Sequence, residues 1–87
     1  MRIIVIYDVN VDRVQKVHKY LKTQLHWVQN SVFEGDVLES DKVEIENELK
    51  KIIEEDKDSV IIFDVGHPES MDKTIIGEEK NPIENVI

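Results

Sequence analysis

The first residue whose type and position could do chemistry is Asp8. It follows the apolar residues 3–6 and Tyr7, and a carboxylate at the end of a buried strand costs desolvation free energy unless something compensates it. Mg²⁺ in proteins is bound through one or two carboxylates together with waters and substrate phosphates. Asp8 therefore suits one half of a metal site that a two-fold axis would share between two chains.

Other routes to catalysis lack their residues. The chain has no cysteine and only three glycines, at positions 35, 66 and 77, which excludes thiolate metal sites and a glycine-rich phosphate loop. The three histidines, at positions 18, 26 and 67, do not have zinc-site spacing, and no serine lies in a nucleophile motif. Carboxylates and a bound metal therefore have to carry any chemistry.

A second aspartate repeats the context of the first. Residues 5–9 read VIYDV and residues 61–65 read IIFDV. Asp8 and Asp64 would bind one metal ion within a single chain only if their strands ran parallel, because both carboxylates would then emerge at the same end. We expect these strands to be antiparallel neighbours, so the repeat indicates two central strands with similar packing.

Charge is divided unequally along the chain, whose net charge is −8. Residues 1–33 carry five basic side chains and two acidic ones, whereas residues 34–87 carry six basic and seventeen acidic ones. Four of the five basic residues of the first part lie on the outer face of a predicted first helix, namely Arg13, Lys16, Lys19 and Lys22. This pattern is typical of a phosphate-binding face or of an ordinary solvated one, and the sequence leaves both open.

Hydrophobic periodicity predicts a strand followed by a helix in the first part of the chain. Residues 2–8 form the strand, Asn10 is the predicted N-cap, and the helix begins at Val11. The buried stripe of this helix consists of Val14, Val17 and Leu21.

Residues 26–37 have strand propensity, with Gly35–Asp36 as a turn signal. The polar residues 29–31 are expected to divide the segment into two short strands. Simple alternation would place one set of side chains on one face, consisting of Trp27, Gln29, Ser31 and Phe33.

A second helix follows within residues 40–56, where Asp41 and Glu44 have capping-box spacing. Its predicted buried stripe consists of Ile45, Leu49 and Ile52. Residues 58–66 form the next strand, and residues 73–77 give a short one. This order predicts a small α+β sandwich with a ferredoxin-like βαββαβ arrangement, one sheet carrying two helices on one face.

The C-terminal tail is expected to serve a neighbouring chain. Residues 81–87 contain Ile83, Val86 and Ile87, and Pro82 suits the start of an edge strand. A domain of residues 1–80 has little core left to cover such a tail. We therefore expect a homodimer in which the tail pairs with the sheet of the partner.

Nothing in the sequence predicts contact with a membrane. No apolar run approaches transmembrane length, and only five apolar residues separate Arg2 from Asp8, so no signal peptide is expected. We expect a cytoplasmic protein.

Three stretches of the chain together resemble a known family. They are IVIYDV (residues 4–9), VQNSVFEGDV (residues 28–37) and IIGEEKNPIENVI (residues 75–87), with the basic helix after the first of them. They resemble the CRISPR-associated protein 2 family, small metal-dependent nucleases of CRISPR adaptation, and the last stretch is similar to that of its archaeal members. The resemblance covers essentially the whole chain.

The resemblance implies a ferredoxin-like fold and a homodimer whose sheets face each other, with the C-terminal strand crossing to the partner. It implies that Asp8 holds Mg²⁺ or Mn²⁺, with Tyr7 beside it. It also places a second-strand motif near the dimer seam, consisting of Gln29, Ser31 and Phe33. The implied partners are the CRISPR integrase and nucleic acid, and the family includes enzymes that cleave single-stranded RNA or double-stranded DNA.

Three functions stay open on this basis. The first is a metal-dependent endonuclease for RNA or DNA in CRISPR spacer acquisition, with Asp8 as the catalytic residue and with Arg13, Lys16 and Lys19 on the phosphate backbone. The second is a non-catalytic dimeric scaffold that bridges integrase subunits and binds DNA. The third is a toxin-type RNase of the same fold. We predict the first.

Overall fold

Seven elements follow one another in the computed structural model, which describes residues 1–67 and 70–78. In chain order they are β1 (Arg2–Asp8), α1 (Val11–Gln24), β2 (His26–Gln29), β3 (Val32–Asp36), α2 (Glu39–Ile52), β4 (Ser59–His67) and β5 (Ser70–Gly77). The first six elements have the predicted βαββαβ order, and β5 contains the short strand expected at residues 73–77.

The five strands form one sheet in the order β2-β3-β1-β4-β5, in which all neighbours are antiparallel. This confirms the ferredoxin-like α+β fold, with β5 added beside β4. The strand expected from residues 81–87, which would contain Ile83 and Val86, lies outside the described residues, as does the proposed boundary at residue 80.

The core lies between the helices and one face of the sheet. Alternate residues of β1 (Ile3, Val5 and Tyr7) are buried there, and they share one cluster with residues of both helices, such as Val17 and Leu49. The predicted stripe of α1 is confirmed, since Val17 and Leu21 are fully buried and Val14 packs against the cluster. In α2 the stripe ends differently, because Ile53 is buried whereas Ile52 is half-buried.

The helix caps confirm one prediction and correct another. Asn10 caps α1, its side chain accepting a hydrogen bond from the amide of Asp12 at 2.9 Å. Helix α2, however, begins at Glu39, and the Asp41 carboxylate accepts from the amide of Leu38 at 3.0 Å. Asp41 therefore stabilises the helix from within its first turn and is not the N-cap. Neither helix has the length and apolar character that spanning a membrane requires.

The β2–β3 hairpin differs from simple alternation. Residues 30 and 31 separate the two strands as expected, and Asn30 adopts a positive φ of 44°. A register shift between Trp27 and Gln29 sets Gln29 opposite Val32, so these two residues share a face and Gln29 leaves the face of Trp27. Alternation predicted the reverse, because it cannot foresee a bulge.

The predicted turn at Gly35–Asp36 is wrong, because both residues belong to β3. Gly35 pairs with Ile3 and Asp36 pairs with Arg2. The glycine has a packing reason, since a Cβ there would lie 3.0 Å from Cδ2 of Leu25.

The two similar strands are antiparallel neighbours, as expected. Asp8 pairs with Ser59, and Asp64 pairs with Ile3. Because these two pairs close opposite ends of the β1–β4 ladder, the carboxylates of Asp8 and Asp64 belong to different ends of the sheet.

Candidate metal and nucleic-acid site

Asp8 ends β1 and is exposed. Ile4 and Ile6 precede it at alternate positions and are half-buried, whereas the intervening residues are buried under the helices. Because side chains alternate along a strand, Asp8 lies on the sheet face that points away from both helices, which we call the open face. A carboxylate there is accessible from outside the chain.

A buried aspartate lies beside this strand end. Asp58 is fully buried, and its carboxylate accepts four hydrogen bonds. Arg13 donates two of them, from Nε at 2.6 Å and from Nη2 at 2.9 Å. The backbone amides of Asn10 and Glu54 donate the other two, each at 2.9 Å. The Arg13 hydrogen bond holds the pKa of Asp58 well below its usual range, against the opposing effect of burial.

The Asp58 carboxylate fixes the turn that follows Asp8. It binds the amide of Asn10, two residues after Asp8, while the next residue, Ser59, pairs with Asp8 itself. On the other side of β1, the amide of Tyr7 donates to the carbonyl of Ser31 at 3.1 Å. The backbone at Asp8 is therefore held from both neighbouring strands, which pre-organises a site built there.

The structure gives Arg13 a different partner from the expected one. Its Nε and Nη2 atoms bind Asp58, its Nη1 lies 3.6 Å from Glu54, and its side chain is only 16% exposed. The hydrogen bond to Asp58 raises the pKa of Arg13 further. We therefore correct the assignment of Arg13 to the phosphate backbone: it joins α1 to the residues before β4.

Phe33, which the resemblance places near the dimer seam, and Tyr7, which it places beside Asp8, both lie in the core of the chain itself. Phe33 is fully buried, and Tyr7 is 5% exposed. The Tyr7 hydroxyl lies 3.2 Å from Nδ1 of His18, and burial raises the pKa of Tyr7 while a hydrogen bond from Ser31 opposes this shift. These positions face the helices, so Tyr7 and Phe33 pack in the core of this chain.

The remaining predicted residues lie at the surface. Gln29 is exposed and Ser31 is half-buried, both next to the hairpin turn. Lys16 and Lys19 are exposed on the side of α1 away from the core. Helix α1 starts three residues after Asp8, so its first turn lies close to the strand end that carries Asp8.

Sequence reasoning missed Asp58. The available signal was its position directly before an apolar strand, just as Asp8 was singled out at the end of one. Its partner Arg13 lies 45 residues away in the sequence, so only the fold reveals the pair.

One chain by itself supplies little to a metal ion. Within residues 1–67 and 70–78, no group of three histidine, aspartate or glutamate side chains could hold one. The Asp8 carboxylate offers the oxygen chemistry that Mg²⁺ and Mn²⁺ prefer. A second carboxylate from another chain would complete a donor set that suits a hard divalent cation.

Comparisons with known proteins all indicate the same family. Residues 1–72 match the family described as CRISPR associated protein Cas2. The chain is 52% identical over 88 residues to the CRISPR-associated endoribonuclease Cas2 of Pyrococcus furiosus, with 100% of both chains covered. It is 46% identical over 85 residues to the corresponding protein of Methanothermobacter thermautotrophicus, covering 98% of this chain and 93% of that one.

A solved structure agrees with these sequences. The crystal structure of a Cas2 protein matches with a TM-score of 0.68 and 45% identity, over 94% of this chain and 92% of that chain. The ferredoxin-like sheet, the strand-end aspartate and the match over residues 1–72 thus point the same way, and the chain belongs to the CRISPR-associated protein Cas2 family.

Proposed function

We propose that this protein is a divalent-cation-dependent endonuclease that hydrolyses phosphodiester bonds of RNA or DNA as a homodimer. The observation that carries the proposal is an exposed Asp8 carboxylate on the open face, at the end of a strand held from both sides. Relatives at 46–52% identity are named endoribonucleases, which supports RNA as a substrate.

The open face supports association with a second copy. Its apolar side chains are half-buried, apart from the buried Ile61, and they comprise Ile4, Ile6, Val32, Ile61, Phe63 and Ile75. Both helices lie on the other face, and a domain of this size buries only a modest part of its surface by itself. Two copies joined through this face would share the apolar patch and bring two Asp8 side chains toward one axis.

Asp8 from each chain would hold one Mg²⁺ or Mn²⁺. A bound divalent cation supplies Lewis-acid stabilisation of a phosphoryl oxygen and lowers the pKa of a coordinated water. The chain's own contribution is positional: Asp58 and Ser31 fix the backbone around Asp8, while Lys16 and Lys19 attract the phosphate backbone without reading its sequence.

The cellular setting is part of the same proposal. We infer that the dimer works with the CRISPR integrase in spacer acquisition, in the cytoplasm, and that double-stranded DNA is a second ligand beside RNA. Membership of the family supports this setting.

A second function is a dimeric scaffold that binds DNA and bridges integrase subunits without cutting. One observation favours it: α2 carries exposed acidic residues such as Glu39 and Glu44, while the basic residues Lys16 and Lys19 lie on α1. A surface divided in this way suits DNA on one side and a basic protein on the other.

One set of assays separates these functions. Wild type, Asp8→Asn and the control Asp64→Asn are incubated with single- and double-stranded RNA and DNA, with and without Mg²⁺ or Mn²⁺. We expect wild type and Asp64→Asn to cleave at least one substrate only with metal, and Asp8→Asn to be inactive while its melting temperature is unchanged. Equal cleavage by Asp8→Asn would overturn the endonuclease proposal. If Asp8→Asn loses cleavage but still supports integration in a separate integration assay, both the endonuclease and the scaffold descriptions hold.

A further inference from the structure

The indole of Trp27 is exposed where a large aromatic ring would ordinarily be covered. Trp27 is 57% exposed, although it pairs across the hairpin with Phe33, which is fully buried. Strand β2 is an edge strand, and all four of its residues are exposed. Trp27 is also the only tryptophan of the chain. An exposed ring of this size is a candidate binding group.

The ring is held in one orientation. Its Nε1 donates a hydrogen bond to the carbonyl of Asn30 at 3.0 Å, within the turn where Asn30 has a positive φ. The imidazole of His18 meets the indole edge-on, with ring centroids 5.5 Å apart and an angle of 83° between the planes. Because the ring is already ordered, binding to it costs little further conformational entropy.

The charge around Trp27 favours an anionic ligand. Residues 13–33 contain no aspartate or glutamate. On α1, the exposed Lys22 follows His18 by four residues and therefore lies on the same side of the helix. The opposite side of α1, at Tyr20, faces Glu44 and Glu48 of α2. Lys22 is therefore the exposed lysine of α1 that lies on the side carrying Trp27.

We propose that Trp27 stacks against an unpaired base of a single-stranded nucleic acid whose phosphates contact Lys22 of α1. Aromatic side chains combined with a basic groove are a general way to hold single strands, because every base has a flat face. A base inside a duplex is already stacked on its neighbours and does not reach the ring. This inference rests on the nucleic-acid role proposed above and adds to it a residue that holds a base by stacking.

Because Trp27 is the only tryptophan, its fluorescence reports on stacking directly. In EDTA, to prevent cleavage, the protein is titrated with a single-stranded oligonucleotide, an abasic strand of equal length and a duplex. We expect the base-containing strand to quench the fluorescence and to bind roughly tenfold more tightly than the abasic strand. The abasic strand has the same charge, so this comparison isolates the base.

Substitutions give the matching test by fluorescence anisotropy of labelled strands. Trp27→Ala is expected to lower affinity for the base-containing strand to that for the abasic strand, whereas Trp27→Phe retains part of the difference. Val28→Ala is the control, because Val28 is its neighbour on the same strand and is 50% exposed. Affinity for the duplex should not change.

Three outcomes would overturn the inference. If Trp27→Ala binds the base-containing strand as tightly as wild type does, the stacking site is wrong, but the proposed function is unaffected. A shift of Trp27→Ala toward monomer in sedimentation assigns the ring to a contact between chains instead. Binding of no nucleic acid by the wild type removes this inference together with the nucleic-acid role.

Discussion

Asp8 and Asp58 are carboxylates at the same end of the sheet with opposite surroundings. Asp8 pairs with Ser59, the residue after Asp58, but Asp8 is exposed whereas Asp58 is fully buried and accepts four hydrogen bonds. A buried charge persists only when it is paired and hydrogen-bonded. Asp58 is therefore committed to the fold, whereas Asp8 is exposed at the end of its strand.

The first prediction concerns the stability that Asp58 provides. Asp58→Asn removes the charge opposite the shielded Arg13, and we expect the free energy of unfolding to fall by about 3 kcal/mol. Asp36→Asn is the control, because Asp36 pairs with Arg2 at 3.1 Å but is 78% exposed, and such surface pairs contribute at most about 1 kcal/mol. Urea unfolding at pH 7 measures both, and equal effects would contradict the special role of Asp58.

The difference in the free energy of unfolding between wild type and Asp58→Asn should decrease as the pH falls. The folded-state pKa of Asp58 is lowered, so its stabilisation is complete above the unfolded value of about 4. It is lost as pH falls from there toward the lower folded value, because protons then bind preferentially to the unfolded chain. The gap between wild type and Asp58→Asn should therefore shrink below about pH 4.

At this scale the sequence predicts residues but not their partners. The strand-end position of Asp8 and the N-cap role of Asn10 follow from local patterns, because capping and strand ends involve residues near in sequence. The pair of Arg13 and Asp58 joins elements 45 residues apart, and local patterns carry no signal for it. This is why a basic helical residue was assigned to phosphate when its guanidinium is bound inside the protein.

Helix α1 presents three different sides. Its buried side holds Val17 and Leu21, one flank faces the acidic residues of α2 at Tyr20, and the outer side carries lysines. A helix with such divided sides both completes the core and provides a local positive surface on a chain of net charge −8.

The second prediction tests this outer side. Lys16→Glu combined with Lys19→Glu should weaken binding of all nucleic-acid sequences alike and reduce its dependence on salt, because each lost phosphate contact lowers the number of released counterions. Lys50→Glu combined with Lys51→Glu is the matched control, since both lysines are exposed on α2 and the net charge changes equally. The measurement is affinity against salt concentration by fluorescence anisotropy, and equal losses for the two variants would show that only net charge matters.

The elements themselves were predicted more accurately than their details. Periodicity of 3.6 and of 2 residues distinguishes helices from strands, and the order of the elements then favours one sheet covered by two helices. The errors lie where contacts with side chains from distant elements determine the local structure. Gly35 reads as a turn residue in the sequence, but it lies within a strand, where a Cβ would come within 3.0 Å of Cδ2 of Leu25.

In the whole molecule, two helices cover one face of the sheet, and the other face, the open face, is apolar and has no helix on it. The open face ends at Asp8 on β1. A dimer formed through this face would therefore bury its apolar side chains and build the proposed metal site in the same interface. The tail of residues 81–87 lies outside the described part of the chain, and its apolar residues Ile83 and Val86 keep their predicted role in the dimer.

The third prediction tests that role. Burial of each such apolar side chain contributes about 1.5–3 kcal/mol before entropy is subtracted, and a symmetric dimer gains this twice. Deletion of residues 81–87 should therefore shift the protein toward monomer in sedimentation velocity and lower its melting temperature. A full-length chain with Ile83→Ser and Val86→Ser should do the same, and a truncated protein that stays dimeric at low concentration would contradict the prediction.

The central claim is that two Asp8 side chains hold one metal ion between two chains. The most direct measurement is a titration of the dimer with Mn²⁺, followed by electron paramagnetic resonance of the free ion, for wild type, Asp8→Asn and Asp64→Asn. We predict one tight Mn²⁺ for every two chains in wild type and in Asp64→Asn, and none in Asp8→Asn, whose sedimentation should remain that of the dimer. One ion for every single chain, or tight binding that survives Asp8→Asn, would contradict the shared site.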